Sequence, residues 1–148
     1  MDYEPFRAGL EQAIPYNRHV GLEVVELAEG VGVVRLPDAD ELKNHVGSQH
    51  AGALFSAGEA ASGGAFVATF AERLGEITPL ARSAEIEYLK LAKGPITATA
   101  RLAGEKAALL ERLDADGRVE FPVNVELGDE QGNKVASMTV HWHVRRNA

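Results

Sequence analysis

Asn44, His50 and Glu59 lie in one short stretch and carry side chains that can take part in catalysis. Glu59 is the only charged residue between Ala51 and Ala71, a proline-free segment of apolar or small residues. This composition predicts a helix that is buried on all sides. A carboxylate inside such a helix loses hydration, which costs free energy or raises its pKa unless partners are supplied. Glu59 is therefore either a structural carboxylate bonded to the backbone or a histidine, or an acid or base made reactive by desolvation.

The predicted start of this helix adds hydrogen-bond donors. If His50 ends the preceding polar segment, Ala51 and Gly52 lie in the first turn, where backbone N–H groups have no acceptor within the helix. These donors and the positive end of the helix dipole favour an oxygen atom that gains negative charge. Gly52 also allows a ligand to approach the backbone closely. An oxyanion site two helical turns before the Glu59 carboxylate is typical of acyl transfer or hydrolysis.

The segment N-H-V-G-S-Q-H-A-G-A-L-F-S-A-G-E, residues 44–59, resembles the signature of hotdog-fold acyl-CoA thioesterases of the phenylacetate-degradation (PaaI-like) type. In that family an asparagine, a His-Gly-Gly sequence and a carboxylate nine residues after the histidine recur. The resemblance covers most of the chain. It includes Pro15 and Gly21, the sequence S-A-E-I-E-Y-L-K-L-A-K-G at 83–94 and D-E-Q-G-N-K-V-A at 129–136.

The resemblance implies the hydrolysis of an acyl-CoA thioester without a cofactor. The Ala51 and Gly52 N–H groups would polarise the thioester carbonyl, and Glu59 would act as general base or nucleophile. Asn44 and His50 would orient the thioester or the water. The resemblance also implies a homodimer or a dimer of dimers, with each site at a subunit interface.

The sequence departs from the family signature at two positions. Ala51 stands where the signature has a glycine directly after the histidine, which keeps the backbone N–H but narrows the approach. Gly63 stands where some relatives carry a threonine or serine that helps to place water. These departures leave open a hotdog protein that binds an acyl-CoA or fatty acyl group without hydrolysing it.

His45 supports a third interpretation, a 3-hydroxyacyl thioester dehydratase. It lies fourteen residues before Glu59, a spacing that resembles the His/Glu pair of hotdog-fold acyl-carrier-protein dehydratases. The F-P and P-G-V sequence elements that surround the histidine of those enzymes are missing around His45. We therefore rank this interpretation below the other two.

The composition restricts the remaining classes of function. A chain of 148 residues predicts one domain, 1–148, with a single core. The formal net charge of -7 argues against nucleic acid or an anionic membrane as partner, and the absence of cysteine excludes thiol catalysis. The N-terminal M-D-Y-E-P lacks the features of a signal peptide, so we expect a cytoplasmic location.

The 51–71 segment approaches membrane-spanning length, but its alanines and glycines are only weakly apolar and Glu59 is central, so we expect no membrane span.

The hydrophobic patterns predict an α+β hotdog fold, with five or six antiparallel strands wrapped around a central helix at about 51–73. Residues 4–13 favour a short helix ended by Pro15, and residues 104–114 are ambiguous but compatible with another helix. The predicted strands are 20–27, 31–36, 83–92, 96–102, 119–127 and 134–144.

Two further groups of residues are candidates for binding. Lys90 and Lys93 put positive charge near the end of a predicted strand, where they either meet the phosphates of coenzyme A or form a solvated face. His141 and His143 flank Trp142 on a strand and so lie on the same face. A metal site would need at least a third ligand, and none is apparent nearby, so no metal is predicted.

Overall fold

The computed structural model describes all 148 residues, and its centre is a buried helix, α3 (Ala51–Thr69). Twelve of its nineteen residues are buried, and Ala57, Ala61 and Ala65 have no exposed surface. The helix ends four residues before the predicted boundary. Phe70 leaves the helical conformation while its ring stays buried between Phe66 and Phe121, and residues 71–76 continue as a short 3-10 helix.

Six antiparallel strands form one sheet around α3, which confirms the predicted α+β architecture. The strand order is β1-β2-β4-β5-β6-β3, so β1 and β3 are the two edges. The strands are β1 (Glu23–Ala28), β2 (Val31–Leu36), β3 (Ile77–Tyr88), β4 (Ile96–Leu102), β5 (Arg118–Gly128) and β6 (Lys134–Arg146).

Strand β3 differs from its prediction at both ends. The sequence placed it at 83–92, after Pro79, because side chains alternate there in the pattern of a strand. In the structure β3 begins at Ile77, and Pro79 lies opposite Val144 of β6. An edge strand tolerates proline because the missing N–H is not needed on its open side.

Small residues allow the sheet to approach the helix closely. A β-carbon built on Gly32 of β2 would lie 2.4 Å from the carbonyl oxygen of Ala61 and 2.6 Å from the nitrogen of Ala65. Backbone atoms cannot move aside for such a contact as a flexible side chain can. Gly32 is therefore required for the sheet to wrap around α3 at this distance.

Three further helices flank the sheet. The predicted first helix, α1 (Glu4–Ala13), is confirmed, and Pro15 both ends it and begins a separate helix, α2 (Pro15–Val20). A helix that begins at Pro15 is consistent with the preference of proline for the first helical turn. The ambiguous segment forms α4 (Lys106–Asp116), which buries Leu109 and Leu113. None of the helices is long and apolar enough to cross a membrane.

The two sheet edges differ in how well they are protected. Strand β1 is six residues long, has a bulge between Val24 and Glu26, and is covered by α1. Glu11 of α1 accepts a 2.8 Å hydrogen bond from the Val24 N–H, and Arg7 donates to the Val24 carbonyl at 3.1 Å. Strand β3 is twelve residues long and pairs only with β6. The backbone of β3 is thus the unprotected edge of the sheet.

Candidate active site

The start of α3 brings His50, Ala51 and Gly52 together, as the sequence predicted. His50 is the N-cap residue, with an extended backbone, and its ring Nδ1 accepts a 2.8 Å hydrogen bond from the Gly52 N–H. Ala51 is exposed, and its N–H has no acceptor within the chain. Of the two backbone donors that the sequence proposed, Ala51 is therefore the free one, and the His50 ring engages the other.

A tyrosine that the sequence analysis did not assign to the site also reaches this turn. The Tyr88 hydroxyl at the end of β3 donates a 3.1 Å hydrogen bond to the Ala51 carbonyl. That carbonyl belongs to the same peptide group as the Gly52 N–H. The hydrogen bond from Tyr88 therefore polarises this peptide group, which strengthens the Gly52 N–H as a donor to the His50 ring.

Asn44 shapes the loop before α3. Its Oδ1 accepts hydrogen bonds from the backbone N–H groups of Val46 and Ser48, at 3.1 Å and 3.0 Å. Its Nδ2 donates to the Ser48 hydroxyl at 2.8 Å. In the isolated chain these contacts hold the loop that delivers His50 to the helix.

Gln49 fixes the same loop to the body of the protein. Its side chain is buried, and Nε2 donates to the carbonyls of Pro37 and Gly94 at 2.9 Å and 3.0 Å. This role was not predicted from the sequence. A glutamine in a polar loop carries no local signal that it will be buried against two distant turns.

Glu59 lies half-buried eight residues after Ala51, and its carboxylate has no hydrogen-bond or ion-pair partner in the chain. Burial raises the pKa of this carboxyl above its ordinary value, because no nearby charge or donor offsets the lost hydration. A structural role through bonds to a histidine or to the backbone would require such a partner. The structure therefore shows a desolvated, unpaired carboxylate.

The Glu59 side chain lines a cavity of about 180 Å³ between α3, the N-terminal helices and the sheet. Most of the lining is apolar: Leu10, Ile14, Leu22, Val24, Val34, Ala60, Phe66, Val67 and Trp142. Gly63 also lines it and contributes no hydroxyl. The other carboxylate in the lining, Glu11, is already bonded to the Val24 N–H.

A hydrogen-bonded chain behind the cavity fixes the helix turn that carries Glu59. The indole N–H of Trp142 on β6 donates to the Ser62 hydroxyl at 3.1 Å, and that hydroxyl donates to the Glu59 backbone carbonyl at 2.7 Å. Ser62 has no exposed surface. These bonds tie the backbone at Glu59 to the sheet.

The remaining candidates lie away from these groups or make other contacts. Lys90 and Lys93 are exposed. The pKa of Asp129 is lowered mainly by hydrogen bonds from Asn133, with a smaller contribution from the charge of Lys90, so Lys90 lies near the β5–β6 turn. His45 is exposed in the loop and makes no side-chain hydrogen bond.

His141 and His143 lie on the outer face of the sheet, while Trp142 between them is buried, as the alternation predicted. His143 is 3.0 Å from Glu120, which also pairs with Arg82. Hydrogen bonding to His143 is the largest cause of the lowered pKa of Glu120, followed by the charge of Arg82. No group of three or more histidine, aspartate or glutamate side chains is placed to hold a metal ion.

Solved structures share this architecture. The Pseudomonas aeruginosa protein PA5026, described as a protein of unknown function and probable thioesterase, is 30% identical with a TM-score of 0.88, over 99% of this chain and 97% of that one. The conserved P. aeruginosa protein PA5202 is 27% identical with a TM-score of 0.72, over 88% and 94% of the two chains. Escherichia coli PaaI, from the phenylacetic acid degradation operon, is 19% identical with a TM-score of 0.73, over 95% and 90%. No curated protein sequence matches this chain.

The buried helix and the sheet wrapped around it define a hotdog-fold domain, as the sequence resemblance predicted, and E. coli PaaI shares this fold. A family model described as "Domain of unknown function (DUF4442)" matches residues 3–144. The chain belongs to that family.

Proposed function

We propose that this protein is a hotdog-fold thioesterase that hydrolyses acyl-CoA. The observation that carries the proposal is the unpaired, desolvated Glu59 carboxylate facing an apolar cavity. A charged group in such a place costs stability, which is typical of a catalytic acid or base. The likeness to PA5026, a probable thioesterase, supports the same class of reaction.

The complete site requires two copies of the chain. Ala51 and Glu59 are eight residues apart on one helix, so they are separated by about 12 Å along its axis. One thioester carbonyl cannot contact both. A second copy that pairs along the open edge of β3 would bring its own helix start towards Glu59, and Pro79 of β3 already lines the Glu59 cavity.

The exposed apolar side chains of β3 support this pairing. Leu80 is 60% exposed, and Tyr88 is 48% exposed at the other end of the strand. A long, partly apolar edge strand is a site of association unless it is covered. We therefore propose a homodimer through β3, with a dimer of dimers as its higher assembly.

In the proposed reaction, the Ala51 N–H of one subunit binds the thioester carbonyl oxygen, and Glu59 of the other faces the carbonyl carbon. Acting as general base, Glu59 takes a proton from water as the water oxygen attacks the carbon. Negative charge then develops on the oxygen at the positive end of the α3 dipole. The intermediate collapses, the C–S bond breaks, and the leaving CoA sulfur takes the proton from Glu59, which restores the carboxylate. If Glu59 instead attacks as nucleophile, water hydrolyses the resulting anhydride.

The cavity size limits the acyl group. A protein cavity of about 150 Å³ accommodates benzene. The cavity beside Glu59, of about 180 Å³, therefore suits an apolar group on the order of six to eight carbons. Besides Glu59, Asn17 is the polar side chain of the lining that makes no hydrogen bond within the chain, so it is the group available to a polar substituent on the acyl chain. Lys90 and Lys93 are the proposed contacts for the phosphates of coenzyme A.

The proposal is tested by measuring free thiol released from acetyl-, hexanoyl-, phenylacetyl- and palmitoyl-CoA by wild type and Glu59→Gln. We expect wild type to turn over hexanoyl- or phenylacetyl-CoA fastest, and the variant to lose roughly 10²–10⁴-fold in kcat. Loss of turnover with retained ligand binding would assign the chemistry to Glu59.

Failure of wild type to release thiol from any of these substrates would overturn the proposal. Binding of acyl-CoA without turnover would then identify the alternative, an acyl-binding hotdog protein. The absence of a hydroxyl group at Gly63 favours this alternative, because a threonine or serine at this position helps to place water in some relatives. A dehydratase would instead leave the thioester intact and depend on His45.

A further inference from the structure

Hydrolysis needs a water molecule beside Glu59, and the lining of the cavity restricts which groups can hold it. A water molecule inside a protein is stable only where two to four polar partners bind it. Most of this lining is apolar, and Gly63 supplies no hydroxyl group. At least one polar side chain besides Glu59 is therefore required in the cavity.

Three polar side chains other than Glu59 line the cavity, and two of them are already engaged. The Glu11 carboxylate accepts a 2.8 Å hydrogen bond from a backbone N–H of β1, and the indole N–H of Trp142 donates to the Ser62 hydroxyl at 3.1 Å. The third is Asn17 of α2, whose side-chain amide makes no hydrogen bond within the chain. Asn17 is therefore the free polar partner that the lining offers to a water molecule beside Glu59.

Two contacts hold Asn17 near the turn of α3 that carries Glu59. The hydroxyl of the preceding residue, Tyr16, lies 2.8 Å from the hydroxyl of Ser56. Ser56 is three residues before Glu59, so the two lie on the same face of α3, about one turn apart. The Asn17 carbonyl accepts the Leu22 N–H at 3.0 Å, and Leu22 also lines the cavity. These contacts place Asn17 and Glu59 on the wall of one cavity of about 180 Å³.

We propose that the Asn17 side chain holds the hydrolytic water together with Glu59. The inference rests on the thioesterase function proposed above and names the group that replaces the threonine or serine missing at Gly63. One O–H of the water donates to the Glu59 carboxylate and the other to the Asn17 amide oxygen, which leaves a lone pair of the water oxygen to attack the thioester carbon.

The protons of the water then take different paths. As the new C–O bond forms, the carbonyl π electrons move onto the oxygen and one proton passes to Glu59. The other proton stays on the new hydroxyl group of the acid, which Asn17 releases with the product. The CoA sulfur takes the Glu59 proton as the C–S bond breaks.

Asn17→Leu removes the amide and keeps a similar side-chain volume in a mostly apolar lining. We expect a Tm close to that of wild type and little change in KM. The kcat for acetyl- and hexanoyl-CoA should fall by roughly 10- to 10²-fold, because a misplaced nucleophile slows the chemical step. An unchanged kcat would overturn the inference.

A hydroxyl group at position 63 should restore part of this loss. Gly63 is four residues after Glu59 on the same face of α3, and a β-carbon there would lie 3.8 Å from Trp142, an ordinary contact. We expect Asn17→Leu/Gly63→Ser to hydrolyse acetyl-CoA several-fold faster than Asn17→Leu/Gly63→Ala, the matched control that adds the carbon without the hydroxyl. A merely structural role of Asn17 predicts equal rates for the two double variants.

Asn17→Asp tests whether this side chain faces Glu59. A second carboxylate close to Glu59 disfavours its ionised form and raises its pKa further. Glu11, the other titratable group of the lining, keeps its contact with Arg7 in this variant. We expect the acid limb of kcat/KM to move to higher pH. Gln12→Glu, which adds a charge at an exposed position of α1, should leave it unchanged.

The outcomes distinguish this inference from the function on which it rests. If wild type releases thiol but Asn17→Leu impairs only hydroxyphenylacetyl-CoA and spares phenylacetyl-CoA, Asn17 binds a substituent of the acyl group and the inference is wrong. If wild type releases no thiol from any substrate, the proposed function fails and the inference fails with it. A lowered kcat that serine at position 63 restores and alanine does not, with the shifted acid limb of Asn17→Asp, supports the inference.

Discussion

Ala51, with its free N–H, and Glu59, with its unpaired carboxylate, lie on the same helix with seven residues between them, so their backbone positions are about 12 Å apart along the axis. Each half of the proposed site is therefore well formed in one chain, yet the two halves are too far apart to act on one carbonyl. If the site is shared, each half must come from a different subunit.

A complementation experiment tests the shared site. Ala51→Pro removes the backbone donor, and His50 already has the extended backbone, φ -63° and ψ 142°, that a following proline requires. We expect Ala51→Pro and Glu59→Gln to be inactive alone. After mixing and subunit exchange, heterodimers contain one intact site, so roughly a quarter of wild-type activity should return with random pairing. Activity that stays absent after verified exchange would show that both groups act within one chain.

The raised pKa of Glu59 predicts a pH-dependent loss of stability. The folded protein keeps the Glu59 proton at pH values where the unfolded chain has lost it. The stabilisation of the folded state by this proton is therefore fully present below the pKa of the unfolded chain, about 4.3. It is lost as the pH rises through the raised pKa of the folded protein. Glu59→Gln should therefore raise Tm at pH 7 and have little effect near pH 4. Thermal unfolding at both pH values measures this, with the exposed Glu26→Gln as control. An equal Tm for wild type and Glu59→Gln at pH 7 would contradict the inference that burial raises the pKa of Glu59.

The same shift predicts the acid limb of the activity profile. Glu59 must be ionised to act as base or nucleophile, so kcat/KM should fall as pH drops below its raised pKa. The midpoint should lie above the ordinary glutamate value of about 4.3. The pH dependence of kcat/KM measures this midpoint. A midpoint at or below that value would exclude Glu59 as the titrating group.

The exposed edge of β3 predicts a variant that dissociates the proposed dimer. Leu80→Arg introduces a charge at a side chain that is 60% exposed on this edge, so folding of the single chain should be nearly unaffected. We expect a monomer by light scattering and loss of thioester hydrolysis. Val25→Arg, at a side chain 49% exposed on the opposite edge, is the matched control and should remain dimeric and active. A dimeric Leu80→Arg would move the interface elsewhere.

The cavity volume predicts a change in acyl preference at Gly63. A β-carbon there would lie 3.8 Å from Trp142, an ordinary contact, so alanine fits and occupies part of the cavity. We expect Gly63→Ala to lower kcat/KM for the largest accepted acyl group by roughly 10-fold or more, and to spare acetyl-CoA. Gly75→Ala, where nothing lies within 4 Å, is the control. An unchanged chain-length profile would show that the acyl group binds elsewhere.

The sequence by itself determined the buried helix and most of the strands, because both depend on local patterns. An apolar run around one charge is read from neighbouring residues, and the spacing of Asn44, His50 and Glu59 follows directly from their order. The true start of β3 was missed, because only its position at the sheet edge makes Pro79 acceptable.

The tertiary structure decided the environment of each candidate group. The cavity around Glu59 is lined by residues from α1, the sheet and α3, and its closure depends on packing between segments far apart in sequence. The bonds of Gln49 to Pro37 and Gly94, and the choice of the His50 ring to accept from Gly52, depend on side-chain conformations that no periodicity encodes. The sequence thus specified which groups are present, whereas packing decided which of them are paired and which remain free to react.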